Sequence, residues 1–286
     1  MKNKKFIFII GESTGLECLK EILKLKIIEI SHVISSNTKN SLILKKLCEK
    51  NNILLYSFED YKNNKIKYKN IKTYKYILIS IFSELIIKNN TLKMFKKNCY
   101  NFHPGLLPFY PGKNCVAGVI YNNEKRAGVT LHLMDQKIDE GKIINKKAIN
   151  INYKNETLIS LMLKLRIITI KMVKEFVLDI YKNRKIKMYK NDINKKKYFP
   201  KYIPNNGLIN SSTAFKIFER MFRASNSGPF INPWGKIFFK YKNKKKNIFQ
   251  YKILDKKKIK FNKKIFKIDK SFFIIKLKDK IIKIKT

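Results

Sequence analysis

Lys5-Phe6-Ile7-Phe8-Ile9-Ile10-Gly11-Glu12-Ser13-Thr14-Gly15 is an apolar run that breaks into a turn. Its Phe and Ile residues leave no alternating polar face, so it reads as a strand buried on both sides. Thr14 and Glu17 have capping-box spacing, which predicts a helix opening there and running to about Leu23. The same unit recurs outward from this point. Strands are expected over 28–34, 54–56, 76–82 and 99–103, with helices over 42–51 and 85–95. The alternation predicts an α/β fold, a Rossmann-like parallel sheet with helices on both faces. A helix over 114–121, strands over 128–134 and 142–149, and a long helix over 158–181 complete a first domain spanning 1–182.

Past that point the character changes. Residues 183–210 are rich in Lys and Asn and carry Pro200 and Pro204, as in a linker laid over a surface. Residues 211–286 read as a small module. A helix over 212–224, capped by Ser211 or Ser212, is followed by short β segments that end in a hairpin over 271–285. The module is therefore expected to be antiparallel.

The formal net charge of +44 raises nucleic acid or an acidic membrane surface as a partner. Only five of the 64 basic residues are Arg, the side chain whose planar fork suits phosphate and base edges. The lysines are dispersed among Asn and Ile along the whole chain, the pattern of a compositional bias written onto a solvated surface. Cys18, Cys48, Cys99 and Cys115 form no Cys-x-x-Cys pair, which argues against a zinc site or disulfide frame and for buried free thiols. The run over 6–10 is too short for a signal peptide, and the run over 76–87 is broken by Ser80, Ser83 and Glu84. A cytoplasmic protein without a membrane partner is expected; a homodimer is compatible with the sequence.

The chemistry concentrates in Asn101-Phe102-His103-Pro104-Gly105-Leu106-Leu107-Pro108-Phe109-Tyr110-Pro111-Gly112, followed by Gly128-Val129-Thr130-Leu131-His132 and Asp139-Glu140-Gly141. Asn101 and His103 are two apart on a strand and project from one face. They stand at the carboxyl end of a parallel strand, where open α/β sheets bind ligands. Pro104 and Pro108 stiffen the next loop, and Gly105 and Gly112 allow backbone to approach a ligand. An amide can donate to an oxygen that gains negative charge. An imidazole can shuttle a proton near neutral pH. A carboxylate from a separate loop can orient that imidazole and favour its protonated form. With no nucleophilic Ser or Cys beside them, these groups suggest direct acyl transfer between two bound substrates.

Asn-x-His-Pro-x-Leu-Leu-Pro, then Gly-Val-Thr, then Asp-x-Gly resembles the tetrahydrofolate-dependent formyltransferases. The resemblance covers about residues 1–180. It extends more weakly over 206–234 through Gly207-Leu208-Ile209-Asn210, Arg223-Ala224 and Pro229-Phe230. It implies attack of a substrate amine on the formyl carbon of 10-formyltetrahydrofolate, without a metal. Asn101 and protonated His103 would stabilise the oxyanion, His103 would relay a proton, and Asp139 would set its state. It implies a folate pocket between Phe82, Ser83 and Leu85 on one side and Asp135, Gln136 and Gly141 on the other, largely through backbone. As side chains, Asp135 and Glu140 read as solvated loop charges. His132 is similar in placement to a histidine that lines the site in the glycinamide ribonucleotide branch, and it is a candidate for substrate binding. Lys113 and Asn114, ahead of a helix, are candidates for an acceptor phosphate. Trp234 is expected to anchor the C-terminal module, and His32 to be structural.

The resemblance implies a primary amine as acceptor. The stretch Ser35-Ser36-Asn37-Thr38-Lys39-Asn40 is short where the transfer-RNA branch has a long Arg-rich loop, and Pro111-Gly112 stands where that branch has Arg-Gly. Both departures favour a nucleotide-linked amino-deoxysugar. The lysine content favours the alternative, methionyl-transfer RNA. A third reading is a non-catalytic basic RNA-binding protein, which would have no reason to keep Asn101, His103 and Asp139 together.

Overall fold

The computed structural model describes residues 4–36, 41–66, 75–95, 98–200, 202–228, 232, 234–255 and 264–286. Residues 37–40 of the short loop and the Pro229-Phe230 pair lie outside them. The chain divides into two compact units. The first comprises Met1–Lys113, Gly128–Ile149 and Leu163–Tyr198; the second comprises Asn114–Ala127, Asn150–Met162 and Phe199–Thr286.

The first unit is built on the strands β1 (Lys5–Ile10), β2 (Glu29–Ser35), β3 (Leu54–Ser57), β4 (Tyr76–Ile81), β5 (Cys99–His103), β6 (Arg126–Leu133) and β7 (Ile143–Asn150). They form one sheet in the order β3-β2-β1-β4-β5-β6-β7. The first five in that order pair in parallel, and β6 runs antiparallel to β5. The sheet is thus Rossmann-like and mostly parallel, as expected, with an antiparallel turn beside β5. β1 and β4 lie in the interior, and Ile7, Phe8, Ile9, Leu78 and Ile79 are fully buried. The helices are α1 (Glu12–Leu23), α2 (Leu42–Lys50), α3 (Phe58–Lys62), α4 (Asn89–Met94), α5 (Cys115–Tyr121), α6 (Leu158–Tyr181) and α7 (Phe215–Ser225).

Two helix starts differ from expectation. α1 opens at Glu12 behind Gly11, and no side chain caps it. The Thr14–Glu17 capping box is not formed; Glu17 pairs with Lys20 instead. A Cβ on Gly11 would stand 2.0 Å from the Phe82 carbonyl oxygen, so close backbone packing fixes this turn. The helix expected over 85–95 is confined to α4. Ser83 Oγ accepts the Leu85 N–H at 3.1 Å and Tyr61 Oη accepts the Lys88 N–H at 2.9 Å, so the approach to α4 is held by side chains.

β5 sorts its residues by parity. Phe176 of α6 packs edge-on against Tyr100, with ring centroids 4.8 Å apart, and also against Phe102. The intervening Asn101 and His103 take the opposite face. Cys18, Cys48, Cys99 and Cys115 are all buried, and none forms a disulfide. Burial pushes the thiols of Cys18 and Cys99 up to about 12 and that of Cys48 to about 11, which leaves them inert at neutral pH.

The second unit carries α5, α7 and two antiparallel sheets. β8 (Phe238–Tyr241) and β9 (Lys244–Asn247) form a hairpin whose two turn residues, Lys242 and Asn243, are both left-handed. β10 (Gln250–Leu254), β11 (Ile265–Lys267), β12 (Phe272–Lys276) and β13 (Ile281–Lys285) form a sheet in the order β10-β13-β12-β11. β12 and β13 are the expected terminal hairpin. Neither Ser211 nor Ser212 caps α7. The Phe215 N–H donates instead to Asp279 Oδ1 at 2.7 Å, and the Ser212 hydroxyl turns to Asn210. Trp234 packs between Phe199 and Tyr121 at 5.1 and 5.7 Å, the anchoring position expected of it. Arg223 is buried and fully engaged by Glu219, Asn123 Oδ1 and the Tyr153 and Glu156 carbonyls.

Candidate active site

The antiparallel pairing of β5 and β6 places Asn101 opposite His132 and His103 opposite Thr130. Asp139 enters from the loop after β6, which closes through the Leu133 N–H on the Lys142 carbonyl at 2.8 Å. Gly141 is required there, because a Cβ would lie 1.9 Å from the Leu133 carbonyl oxygen. The result is a buried group of one amide, two imidazoles and one carboxylate. Asp139 Oδ2 lies 3.4 Å from His103 Nδ1 and accepts the Gly112 N–H at 2.7 Å. Asp139 Oδ1 lies 3.3 Å from both Asn101 Nδ2 and His132 Nε2.

Hydrogen-bond chemistry fixes the orientations. A carboxylate cannot donate, so the Asn101 atom facing Asp139 is its NH2. The other amide hydrogen meets His132 Nε2 at 3.1 Å, while His132 Nδ1 lies 2.8 Å from the Leu133 carbonyl. A carbonyl only accepts, so His132 carries a proton on Nδ1, and its Nε2 faces both the Asn101 amide and the Asp139 carboxylate. His103 Nε2 lies 2.8 Å from the Tyr110 carbonyl and must be its donor. Gly105 lies close against that same edge of the ring, where a Cβ would come within 2.8 Å of Nε2. The nitrogen left for chemistry is Nδ1, on the Asp139 side.

Burial drives the His103 pKa below its ordinary value; Asp139 opposes the shift and His132 adds to it. The resting imidazole is therefore neutral at pH 7. Burial alone would raise the Asp139 pKa, but His103, His132 and the Gly112 N–H outweigh it and hold the carboxyl well below the usual range. Asp139 is thus ionised beside a neutral base. It can stabilise the imidazolium once Nδ1 takes up a proton.

Phe82, Tyr110 and Asp139 are non-glycine residues with left-handed backbone, at φ 47, 55 and 56. For two bulky aromatics this is strained, and such strain collects at functional sites. Phe82 extends β4 beside β5 through its N–H on the Phe102 carbonyl at 3.3 Å. Ser83 and the buried Leu85 follow it. Asp135 Oδ1 accepts the Gln136 N–H at 2.7 Å on the exposed part of the Asp139 loop. Lys113 Nζ pairs with Glu84 at 3.2 Å, both exposed. Asn114 belongs to the second unit and starts α5 in a left-handed conformation without a side-chain cap. Among the described residues no group of three or more His, Cys, Asp or Glu is arranged to hold a metal ion, and no helix is long and apolar enough to cross a membrane.

Several contributors escaped the sequence reading. Thr130 Oγ1 donates to the Gly105 carbonyl at 2.6 Å and accepts the Leu107 N–H at 3.1 Å, tying the Pro104–Gly112 loop to β6. Its alternation with His132 on β6 is a signal that could have found it. Lys146 Nζ donates to the Leu107 carbonyl. The Tyr110 carbonyl, acting through backbone, leaves no signal at all.

Known proteins resemble this chain in sequence and in fold. Methionyl-tRNA formyltransferase from Buchnera aphidicola subsp. Schizaphis graminum is 30% identical over 212 residues, covering 74% of this chain and 65% of that protein. The chain thus spans just under two thirds of that relative's length. GDP-perosamine N-formyltransferase from Brucella melitensis is 40% identical over 75 residues, or 26% of this chain and 29% of that one. Among solved structures, WlaRD, a sugar 3-N-formyltransferase crystallised with dTDP and 5-N-formyl-THF, shares the fold with a TM-score of 0.66 at 24% identity. The likeness covers 99% of this chain and 97% of that one. The N-formyltransferase from Helicobacter canadensis, in complex with folinic acid and dTDP-3-aminofucose, gives 0.65 at 23% identity over 99% and 98%. The profile described as Formyl transferase matches residues 4–176, the stretch that holds Asn101, His103, His132 and Asp139, and the chain belongs to that family.

Proposed function

We propose that the chain transfers a formyl group from 10-formyltetrahydrofolate to a primary amine, the amino group of a nucleotide-linked amino-deoxysugar. The observation that carries the reaction class is the convergence of Asn101, His103 and His132 on Asp139. The site suits a folate donor on two counts. It offers backbone and amide donors beside a base, and a Cβ added to Gly112 would meet no heavy atom within 4 Å, so space is open next to Asp139. Bound there, 10-formyltetrahydrofolate would supply the electrophilic formyl carbon.

Each residue then has a task. Asn101 turns one N–H from its long bonds onto the carbonyl oxygen that gains charge, a donation worth about 2.7–4 kcal/mol in comparable oxyanion sites. His103 Nδ1 takes the proton that the amine sheds as its nitrogen bonds to the formyl carbon. It returns that proton to the folate nitrogen as the old carbon–nitrogen bond breaks. Asp139 stabilises the imidazolium between those two moments. His132 holds the amide so that nitrogen, not oxygen, faces the reaction. Phe82, Ser83 and Leu85 on one side and Asp135, Gln136 and Gly141 on the other are the proposed walls of the pterin pocket. Lys113 and Asn114 are the proposed phosphate contacts of the acceptor.

The acceptor reading rests on the short link between β2 and α2, on Pro111 where the transfer-RNA branch carries Arg, and on likeness in fold to sugar N-formyltransferases along nearly the whole chain. The second reading, methionyl-transfer RNA, is favoured by the identity to the Buchnera protein and by the lysine-rich surface. An acceptor screen with 10-formyltetrahydrofolate separates them. Formylation of a dTDP- or GDP-linked 3- or 4-amino-deoxysugar is expected. Formylation of charged initiator transfer RNA alone would replace this reading with the second.

A further inference from the structure

Residues 189–197 belong to the same compact unit as the site. Tyr189 and Ile143 exchange both backbone hydrogen bonds, at 2.7 and 2.9 Å, which lays this segment against the start of β7. From there it reaches both loops that carry the site. Asn191 Nδ2 donates to the backbone carbonyl of Asp139 at 2.9 Å. Lys196 Nζ meets Glu140 at 2.7 Å. The Lys197 carbonyl accepts the Tyr110 N–H at 3.0 Å. Tyr110 and Asp139 grip His103, one at each ring nitrogen, and both are left-handed. A left-handed non-glycine residue is strained and persists only where its surroundings hold it.

Asn191 stands out within the segment. It is 5% exposed, and its Oδ1 has no hydrogen-bond partner among the described residues. A buried acceptor left unsatisfied is destabilising, a penalty that an apolar side chain of similar size would avoid. What the amide supplies that an apolar side chain cannot is its one side-chain donation, to the Asp139 carbonyl. The Lys196–Glu140 pair, open to solvent at its Lys196 end, adds less.

We propose that residues 189–197 act as a strap and that Asn191 is its positioning residue, which sets where the Asp139 carboxylate stands against His103 Nδ1 by holding the Asp139 carbonyl. The proposal rests on the reading of Asp139 and His103 as the reacting pair, and its test has an arm that needs no turnover.

Asn191→Leu and Asn191→Ala are compared with the full-length wild type by nitrogen-15 NMR of the imidazole rings. The chain has only three histidines, so assignment is direct. The His103 titration midpoint is expected to move in both variants, because Asp139 and His132 are the charged and titratable groups facing it and Asp139 is displaced. His32, in β2 and stacked on Tyr56 of β3, should not move. In formyl transfer, kcat is expected to fall about 10–100-fold while both KM values stay within about twofold, the mark of misplaced groups rather than lost binding. Melting should change little for Asn191→Leu, which removes the unpaired Oδ1 and also the bond to the Asp139 carbonyl. If that variant fails to fold, Asn191→Ala decides. A folded variant whose His103 titrates as in wild type overturns the proposal. Failure of the wild type to formylate any acceptor would count against the function, and the imidazole spectra would still judge the strap.

Discussion

Asp139→Asn keeps the shape of the side chain and removes its charge. The carboxylate oxygens accept the Gly112 N–H at 2.7 Å and an Asn101 Nδ2 N–H at 3.3 Å, and Oδ2 lies 3.4 Å from His103 Nδ1. An amide offers one oxygen where two are used. If that oxygen keeps the Gly112 N–H, the new NH2 faces the Asn101 NH2, donor against donor. At 3.4 Å, two unit charges in an effective dielectric of about 20 interact by about 5 kcal/mol. That is the most an imidazolium at His103 loses with the charge, and about half of it is lost if the proton is half transferred at the transition state. At 1.36 kcal/mol per decade, the expected fall in kcat/KM for formyl transfer lies between about 10²- and 10⁴-fold. Single-turnover rates with one acceptor across pH 5–9 measure it. Asp139 raises the His103 pKa against the burial that lowers it. Removing the carboxylate therefore lowers that pKa further, and the acid limb of the rate profile moves to lower pH. A folded variant within about threefold of wild type, or an acid limb that moves upward, refutes the assignment of Nδ1 as the base.

Asn101→Ala removes the donor to the developing oxyanion, and kcat should fall about 10²–10³-fold with melting nearly unchanged. His103→Ala should cost about 10²–10⁴-fold in the same assay. Gly141→Ala forces a Cβ to 1.9 Å from the Leu133 carbonyl oxygen, so both melting temperature and turnover should drop; a variant that melts like wild type would mean that the loop yields freely. Burial lowers the pKa of both His32 and His103, so the folded chain binds these protons less readily than the unfolded chain. Their contribution to stability is complete above the unfolded value of about 6.5 and is lost as pH falls through the folded values. Calorimetry between pH 7.5 and 5 should show His32→Gln losing less stability on acidification than wild type does.

The sheet was legible where strands are buried on both faces. β1 and β4 are nearly unbroken apolar runs, and β5 shows itself through Tyr100 and Phe102, which alternate with the polar Asn101 and His103. Helix ends were less legible, because their caps come from afar. α1 starts where Gly11 meets the Phe82 carbonyl, and α7 is capped by Asp279, 64 residues downstream. No local rule of spacing reaches such partners. The antiparallel placement of β6 was equally hidden, because hydrophobic period specifies that a strand exists and leaves its neighbour open.

The same division runs through the site. Asn101 and His103 declare themselves because period two on a strand aims both at one face, and Asp139 was found through its motif. What holds them is written elsewhere. The register that sets His132 against Asn101 depends on the direction of β6. The proton on His103 Nε2 is fixed by a backbone carbonyl, which every residue type possesses and none advertises. Asn191 lies in a Lys- and Asn-rich stretch whose composition suggests only solvent, yet it is nearly buried and bonded to the Asp139 main chain. Groups that react must be of particular residue types and so leave marks in a sequence. Groups that merely hold them can use any carbonyl or amide within reach, so the supporting shell becomes visible only when the chain is folded.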